Sequence, residues 1–327
     1  MLSQTFGEFE LIVVDDGSTD NTCDVLGRFG DRRVRRVRLG SRYGPSHARN
    51  VAISAARGRY IAILDADDLA YSNRLQTQVA YMEAHPEVGI CGHVCHRITE
   101  SGEVVGTVGC GLNTLESHWR LTFENCLVHS SIMLRHTVLV SSGVWYSARF
   151  PQAQDYDLYS RLRELSHVVA LSETLGAWRY REGSATQSHR HEQEALALAV
   201  AQRNLAYALA QASIDVVHAP QLLAWYRGRC MKGPGLKLFL ADVYLTLLRV
   251  YLSQHNGTSV DPVFLRRYAG IALRRIPMRA VMRPAFFRLV RKIACLPGCS
   301  SGGALAMVTK EGERRARLRA RSLATRG

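Results

Sequence analysis

An apolar run ends in three carboxylates at residues 61–68, Ile-Ala-Ile-Leu-Asp65-Ala66-Asp67-Asp68. Its apolar half predicts a buried strand. Because alternate side chains of a strand share one side, Asp65 and Asp67 are expected to project together beyond its end, where open α/β sheets bind ligands. Two carboxylates suit Mg²⁺ or Mn²⁺, which complete their coordination with water and substrate phosphates. The stretch therefore predicts a metal-phosphate site; the alternative is a polar turn in which Asp68 caps the next helix.

The segments before this stretch alternate between strand and helix. Strands are predicted over 9–14 and 34–39, and Asp15-Asp16-Gly17-Ser18 forms the turn after the first strand. A helix capped by Ser46 is predicted to run to residue 56. This alternation indicates an α/β fold with a mostly parallel sheet flanked by helices. The Gln154-Asp155 pair is predicted to open a further helix, and the pattern becomes helical from about residue 192 to the end.

The excess positive charge of the chain lies in its C-terminal segment. Residues 266–327 hold 16 of the 42 basic residues and two of the 28 acidic ones, which accounts for the whole net charge of +14. Basic residues such as Arg288 and Lys292 alternate with apolar ones such as Leu289 and Ile293, a pattern typical of segments that lie on anionic membranes. A solvated extension and nucleic-acid binding are the alternatives, and nucleic acid has weak support because no binding motif accompanies the charge.

The first residues and the cysteines indicate a cytoplasmic protein. Residues 1–8 contain neither a basic cluster nor a long apolar run, so they do not resemble a secretion signal. Eight cysteines in a chain of 327 residues without such a signal indicate reduced thiols. We expect the protein in the cytoplasm, in peripheral contact with the inner face of the plasma membrane through residues 266–327.

Five segments, in this order, resemble the motifs of the family 2 glycosyltransferases, which have the GT-A nucleotide-sugar fold. They are residues 9–22 with Asp15-Asp16-Gly17-Ser18, Ala48-Arg49-Asn50, Leu64-Asp65-Ala66-Asp67-Asp68, Asn125-Cys126-Leu127-Val128-His129-Ser130-Ser131 and Gln154-Asp155-Tyr156-Asp157-Leu158. The resemblance covers residues 1–186 and implies a GT-A (Rossmann-like) catalytic domain there. A helical region over 187–265 and a basic, partly disordered tail over 266–327 would follow.

The resemblance implies an enzyme, an inverting glycosyltransferase of the hexosyltransferase type. Its donor would be a nucleotide-diphosphate sugar and its acceptor a hydroxyl of a saccharide or a lipid-linked molecule, in the synthesis of cell-surface polysaccharide or glycolipid. Asp155 matches the family's catalytic base, and Asp157 is the alternative if the register is shifted. Asp67 matches the principal ligand of a divalent metal, Mg²⁺ or Mn²⁺, with Asp65 near the metal or the ribose.

Other matching positions are assigned to the donor by the same resemblance. Asp15 and Asp16, in one turn with Gly17 and Ser18, would contact the base and the ribose, unless they only form the turn. Four further residues are assigned to substrate binding: Arg49, His129, Arg179 and Arg181. The last two belong to Trp178-Arg179-Tyr180-Arg181-Glu182-Gly183-Ser184, in which Arg181 occupies the place of the family's usual His.

Departures from the family pattern leave a second hypothesis open. Gln154 replaces a usual Glu beside the base, and Arg181 replaces the His. Family members begin with a strand and a helix, and residues 2–6 match only the last turn of that helix. The first strand and most of the first helix would then be missing, and the chain as it stands would have low stability and activity. The alternative function is a catalytically weak or inactive binding or scaffold protein with the same fold.

Overall fold

The computed structural model describes residues 1–181, 189–228, 233–255, 261–275, 284–294 and 296. The chain forms two compact units, Met1–Val200 and Ala201–Gly327. Residues 182–184 of the motif that contains Arg181, and the basic segment after residue 296, lie outside the described residues. The domain boundary expected after residue 186 stays a prediction.

The first unit combines eight strands with flanking helices in its described part. The strands are β1 (Leu11–Asp15), β2 (Val34–Arg38), β3 (Tyr60–Ala62), β4 (Leu69–Ala70), β5 (Val88–Ile98), β6 (Val104–Val108), β7 (Met133–Arg135) and β8 (His167–Arg179). The helices are α1 (Thr22–Gly27), α2 (Pro45–Ala55), α3 (Arg74–Ala84), α4 (Thr114–Leu121), α5 (His136–Ser142) and α6 (Gln154–Leu162), followed by α7 (Arg190–Gln211), which ends in the second unit.

The described strands form a two-stranded and a six-stranded sheet. β1 and β2 pair in parallel, as their connection through α1 requires. The larger sheet has the order β3-β7-β5-β8-β4, with β6 paired to β5. In it β5 and β8 run parallel, whereas the other pairs are antiparallel. The predicted α/β class is confirmed, but the larger sheet is mixed rather than mostly parallel, because β6 returns on β5 through a tight hairpin and β4 and β7 are short returning strands.

A buried polar contact ties α3 to the larger sheet. Leu75 and Met82 of α3 pack against Val88, Cys91 and other apolar side chains of the sheet. On the same helix the fully buried Arg74 donates to the carbonyl oxygens of Ile63 at 2.9 Å and Ile132 at 3.2 Å. Burial lowers the Arg74 pKa to about 10, so the side chain stays charged at neutral pH. Arg74 therefore holds together the two chain segments that lead into the acidic stretch and into α5.

The start of α2 differs from the sequence-based expectation. Gly44, with a φ of 92°, precedes the helix, and Pro45 occupies its first turn, where the missing N–H of proline has no cost. The hydroxyl of Ser46 lies 3.5 Å from the carbonyl oxygen of Ser147 and does not cap the helix. The prediction of Ser46 as the cap is therefore wrong, because the helix begins at Pro45, with Gly44 as its cap, two residues earlier than expected.

The second unit is helical in its described residues. After α7 come a 3₁₀ turn (Val216–His218), α8 (Ala219–Tyr226), α9 (Pro234–Gln254), α10 (Pro262–Arg275) and α11 (Pro284–Ala294). Leu289 and Ile293 of α11 are buried, and the Lys292 ammonium lies 2.7 Å from the Asp242 carboxylate and 2.8 Å from the Thr246 hydroxyl of α9. The predicted helical C-terminal region is confirmed. None of the described helices has the length and apolar character that crossing a lipid bilayer requires.

Candidate functional site

The turn after β1 is organised around the buried carboxylate of Asp15. This carboxylate accepts hydrogen bonds from the Ser18 N–H at 2.9 Å and from the Cys23 thiol at 3.0 Å. The contacts with Ser18 and then Cys23 lower the Asp15 pKa to about 2. Asp15 is therefore ionised at neutral pH, and protein donors already hold both of its oxygens.

The neighbouring Asp16 joins this turn to the loop before α2. Its carboxylate accepts hydrogen bonds from the N–H groups of Tyr43 and Gly44, both at 2.8 Å. Gly17 has a φ of 74°, and a Cβ at this position would lie 2.8 Å from the Ser41 carbonyl carbon. Only glycine fits this close approach without strain. The two loops that follow β1 and β2 are thus locked together beside Asp15.

The acidic stretch is a turn, because the strand before it is shorter than predicted. β3 ends at Ala62, and Asp65 and Asp67 lie on the connection between β3 and β4. The expectation that they project from one side of a strand is wrong. Asp68 does not cap α3, which begins at Arg74; its carboxylate accepts a hydrogen bond of 2.8 Å from the Arg179 N–H. The end of β8 therefore holds the acidic turn through this hydrogen bond.

Arg179 supports the turn with its side chain as well. Its guanidinium donates to the carbonyl oxygens of Asp67 at 2.9 Å, Thr99 at 3.1 Å and Glu100 at 2.8 Å. These contacts use Nε and Nη1, so Arg179 positions the backbone of the acidic turn. Two residues further on, Arg181 places its Nε 3.9 Å from a carboxylate oxygen of Asp67. Arg181 is exposed and Asp67 is partly exposed, which leaves both side chains accessible to a ligand.

Arg49 of α2 connects the acidic turn to the start of α6. Its Nη2 donates to Asp65 at 2.8 Å, and its Nη1 donates to Gln154 at 3.0 Å when the Gln154 amide is oriented to satisfy both of its neighbours. Burial alone would raise the Asp65 pKa, but the charge and the hydrogen bond of Arg49 contribute to a net lowering of it. The next residue, Asn50, donates to the Tyr146 carbonyl at 2.9 Å and accepts from its N–H at 3.0 Å. Arg49 and Asn50 thus contact three segments that are distant in sequence, at Asp65, Tyr146 and Gln154.

The two candidate bases on α6 have different surroundings. Asp155 is half-buried in the first turn, and its carboxylate accepts from the Asn125 amide at 2.9 Å and from the Tyr156 N–H at 2.7 Å. The Asp157 side chain is only 2% exposed and accepts hydrogen bonds of 3.0 and 2.7 Å from Arg161. Asp157 is therefore an interior ion-pair residue, and Asp155 is the accessible carboxylate of the two.

His129 lies in a 3₁₀ turn (His129–Ser131) next to α6. Its Nδ1 is 2.6 Å from the Tyr159 hydroxyl, and its Nε2 is buried without a hydrogen-bond partner among the described residues. Burial lowers the His129 pKa, so the ring is neutral at pH 7. Reasoning from the sequence missed Tyr159 and Asn125 as members of the site. Tyr159 follows Asp155 by one helical turn, a spacing that places both on one face of α6 and could have found it.

The residues of the acidic turn fit a divalent cation that takes few ligands from the protein. No group of three or more His, Cys, Asp or Glu side chains in the described part of the chain is arranged to hold a metal. Asp67 nevertheless offers a partly exposed carboxylate, and Mg²⁺ or Mn²⁺ takes its other ligands from water and phosphate. Asp65 already accepts from Arg49 through Oδ1. Of the two predicted metal ligands, Asp67 is therefore the one whose carboxylate is less engaged by other protein groups.

Comparison with known proteins finds that the first part of the chain is similar to one family. Residues 1–139 match the family described as Glycosyl transferase family 2. An uncharacterized glycosyltransferase of Haemophilus influenzae is 25% identical over 262 residues, which cover 76% of this chain and 80% of that protein. UDP-Glc:alpha-D-GlcNAc-diphosphoundecaprenol beta-1,3-glucosyltransferase WfaP of Escherichia coli is 40% identical over 82 residues, 25% of this chain and 33% of that enzyme. The crystal structure of S. aureus TarS 1-349 in complex with UDP is 17% identical, with a TM-score of 0.48 and coverage of 96% of this chain and 85% of that chain.

Proposed function

We propose that this chain, whose residues 1–139 match the model of glycosyl transferase family 2, is a glycosyltransferase that transfers a sugar from a nucleotide-diphosphate donor to an acceptor hydroxyl. One observation carries the proposal: the Arg49 guanidinium contacts both Asp65 and Gln154. It brings the acidic turn, which suits a diphosphate and its metal, next to the first turn of α6, which holds the candidate base Asp155.

The turns after β1 and β2 are suited to the nucleotide. Asp15 and Asp16 hold the Asp15-Asp16-Gly17-Ser18 turn and the loop before α2 in one arrangement. A rigid pocket wall of this kind lowers the entropic cost of binding the base and the ribose. We therefore assign Asp15, Asp16, Gly17 and Ser18 to nucleotide binding. The two carboxylates would act mainly by fixing the loops that form the pocket wall.

The diphosphate would lie against the acidic turn. Asp67, with Asp65 beside it, would hold Mg²⁺ or Mn²⁺, which when bound neutralises negative charge on the leaving diphosphate. Arg181 and Arg49 supply fixed positive charge at the same turn, and charge placed in advance stabilises the transition state most. Arg181, where the family has a His, thus fits a diphosphate contact. Arg179 acts as a positioning residue for the acidic turn. His129 acts as a positioning residue through its contact with Tyr159 of α6.

Asp155 is suited to take the proton of the acceptor. Asn125 and the Tyr156 N–H each bind one of its oxygens, which fixes the carboxylate in one orientation. As the acceptor oxygen bonds to the anomeric carbon, the proton passes to Asp155, the bond from that carbon to the phosphate oxygen breaks, and the nucleoside diphosphate leaves. A single displacement from the opposite face inverts the configuration at this carbon.

The acceptor and the location are proposed from the relatives and from the charge. WfaP is named for transfer to alpha-D-GlcNAc-diphosphoundecaprenol, which supports a lipid-linked acceptor and a role in cell-envelope polysaccharide synthesis. Such an acceptor suits a cytoplasmic enzyme in peripheral contact with the inner face of the plasma membrane. The 16 basic residues of 266–327 support the contact. Because Leu289 and Ile293 are buried, however, this part of α11 offers the membrane charge rather than apolar surface.

Donor hydrolysis tests the proposed function. The purified chain is incubated with a panel of UDP- and GDP-sugars in Mg²⁺, Mn²⁺ or EDTA, and release of the nucleoside diphosphate is measured. We expect slow hydrolysis that needs the metal and disappears in Asp67→Ala, whereas Asp24→Ala, which changes an exposed aspartate of α1, keeps it. Calorimetric titration with the nucleoside diphosphate, with and without Mn²⁺, gives a readout independent of turnover. Binding without any hydrolysis would support the alternative of a non-catalytic binding protein.

A further inference from the structure

The second unit carries an exposed apolar surface formed by two segments. Val216 and Val217 lie in the 3₁₀ turn before α8, and Leu236 and Phe239 lie in the first turns of α9. Each exposes between 38% and 59% of its surface. The rings of His218 and Phe239 are in contact, with centroids 4.9 Å apart, so the turn and the helix are neighbours. We call these four residues the apolar patch: Val216, Val217, Leu236 and Phe239.

The patch is held in place by the fold. The Asp215 carboxylate accepts a hydrogen bond of 2.9 Å from the Val217 N–H and so caps the 3₁₀ turn. On α9, Leu238 and Leu240 are buried, whereas Leu236 and Phe239 remain 38% and 43% exposed. The core of the unit therefore already has its own apolar residues. Large apolar side chains that a rigid surface leaves exposed together usually mark a contact with another molecule.

The charge of the second unit indicates what that molecule is. Residues 201–327 hold 22 basic and five acidic residues, a net charge of +17, whereas residues 1–200 hold 20 and 23. In the sequence, residues 227–237 include four basic residues and no acidic one, and two of the basic ones, Arg227 and Lys237, lie in the described part of the chain. An apolar patch on a unit with this excess of positive charge complements an anionic bilayer, whose headgroups attract the charge and whose acyl chains accept the apolar side chains.

We propose that the apolar patch docks this chain on an anionic phospholipid surface. Val217 and Phe239 enter the boundary between headgroups and acyl chains, and Lys237, which lies between Leu236 and Phe239 on α9, contacts lipid phosphates. The patch supplies the apolar component that the buried Leu289 and Ile293 of α11 cannot supply. This inference rests on the second unit alone and does not depend on the proposed transfer reaction, since its test uses neither donor nor acceptor.

Vesicle sedimentation of the full chain tests this inference. Vesicles of phosphatidylglycerol with phosphatidylcholine are compared with vesicles of phosphatidylcholine alone, at low and moderate salt. The variant Val217→Glu/Phe239→Glu removes the apolar contact. Its control, Val263→Glu/Val140→Glu, makes the same charge change at two valines that are 55% and 57% exposed elsewhere on the chain. Circular dichroism and thermal unfolding establish that both variants fold like the wild type.

We expect the wild type and the control to sediment with the anionic vesicles only, and the patch variant to bind them at least about tenfold more weakly. Equal binding to neutral vesicles, or an equal loss in both variants, would overturn the proposal. The proposal would also be overturned if the wild type were a dimer and the patch variant a monomer while both bound vesicles equally. That result would assign the patch to self-association. If the patch variant lost binding to RNA or DNA while its vesicle binding was unchanged, the membrane proposal would be overturned and the patch would be assigned to nucleic acid.

Discussion

Arg49 donates a hydrogen bond of 2.8 Å to Asp65, which lies 16 residues further along the chain. The same guanidinium contacts Gln154 at the start of α6. Asp65 belongs to the turn assigned to the metal and the diphosphate, and Gln154 precedes the proposed base Asp155. Arg49 thereby connects the two halves of the site.

Replacing Arg49 with lysine should affect catalysis more than stability. Lysine keeps the charge but cannot bridge two partners in fixed directions, so we expect donor hydrolysis to fall at least about tenfold. The pair is partly exposed, and the free energy of unfolding should change by less than about 1 kcal/mol. Hydrolysis kinetics and urea denaturation measure the two effects. Arg59→Lys, in an exposed pair with Glu83, is the matched control and should retain wild-type kinetics. Wild-type kinetics in Arg49→Lys would contradict the bridging role.

Amide substitutions at the two carboxylates of α6 should have different consequences. Asp155→Asn should lower kcat by about 10²–10⁴-fold while donor affinity is retained, because the residue acts on the acceptor proton. Asp157→Asn should instead lower the free energy of unfolding by about 1–3 kcal/mol, since it weakens the buried contact with Arg161. Transfer assays, donor titration by calorimetry and urea denaturation separate the two outcomes. If Asp157→Asn folded normally but lost turnover, the two residues would have to exchange roles.

Adding a methyl group at Gly17 should damage the nucleotide pocket. The new Cβ would lie 2.8 Å from the carbonyl carbon of Ser41 and 2.9 Å from the N atom of Arg42, at a φ of 74°. We expect Gly17→Ala to cost about 1–3 kcal/mol of stability and to weaken nucleotide binding. Gly30→Ala, where a Cβ meets nothing within 4 Å, is the control. Thermal unfolding and nucleotide titration provide the measurements, and unchanged values in Gly17→Ala would argue against a locked wall.

Asp15 should contribute stability that depends on pH. Its pKa in the folded chain is about 2, below the ordinary value of 3.8, because Ser18 and Cys23 bind the ionised form. The contribution is therefore fully present above the ordinary pKa and is lost as the pH falls through the folded-state value. The difference in free energy of unfolding between the wild type and Asp15→Asn should be constant near neutral pH and shrink below about pH 4. Urea denaturation at several pH values measures it. A difference that does not vary with pH would show that Asp15 is not held in its ionised form.

Much of the first unit could be predicted from local patterns. The β-branched run before Asp15 and the run that begins at Val34 form β1 and β2 within one or two residues of the predicted bounds, and α6 begins at Gln154 as expected. These features depend on residues close together in the chain: side-chain alternation, turn-forming glycine and the acidic residues in the first turn of α6. Two of the five segments that resemble family motifs, residues 9–22 and 154–158, contain these features.

The acidic turn shows where local patterns were insufficient. An apolar run followed by aspartates suits a strand end, yet β3 stops at Ala62 and β4 does not begin until Leu69. One partner of the Asp68 carboxylate is the N–H of Arg179, 111 residues away, and no local signal predicts such a contact. Where the chain leaves the sheet depends on which strands lie beside it, and that is a property of the topology.

The amino-acid sequence alone was sufficient to identify which residue types end the strands and open α6, because turns and helix ends are stabilised by near neighbours. It could not show which carboxylates are already engaged. Asp65 has Arg49, Asp157 has Arg161, and Asp155 has Asn125. The pairs of Asp65 and Asp155 join residues that lie on different elements, so only the folded chain brings them into contact. These contacts decide which carboxylates are held by other protein groups and which remain accessible to a substrate.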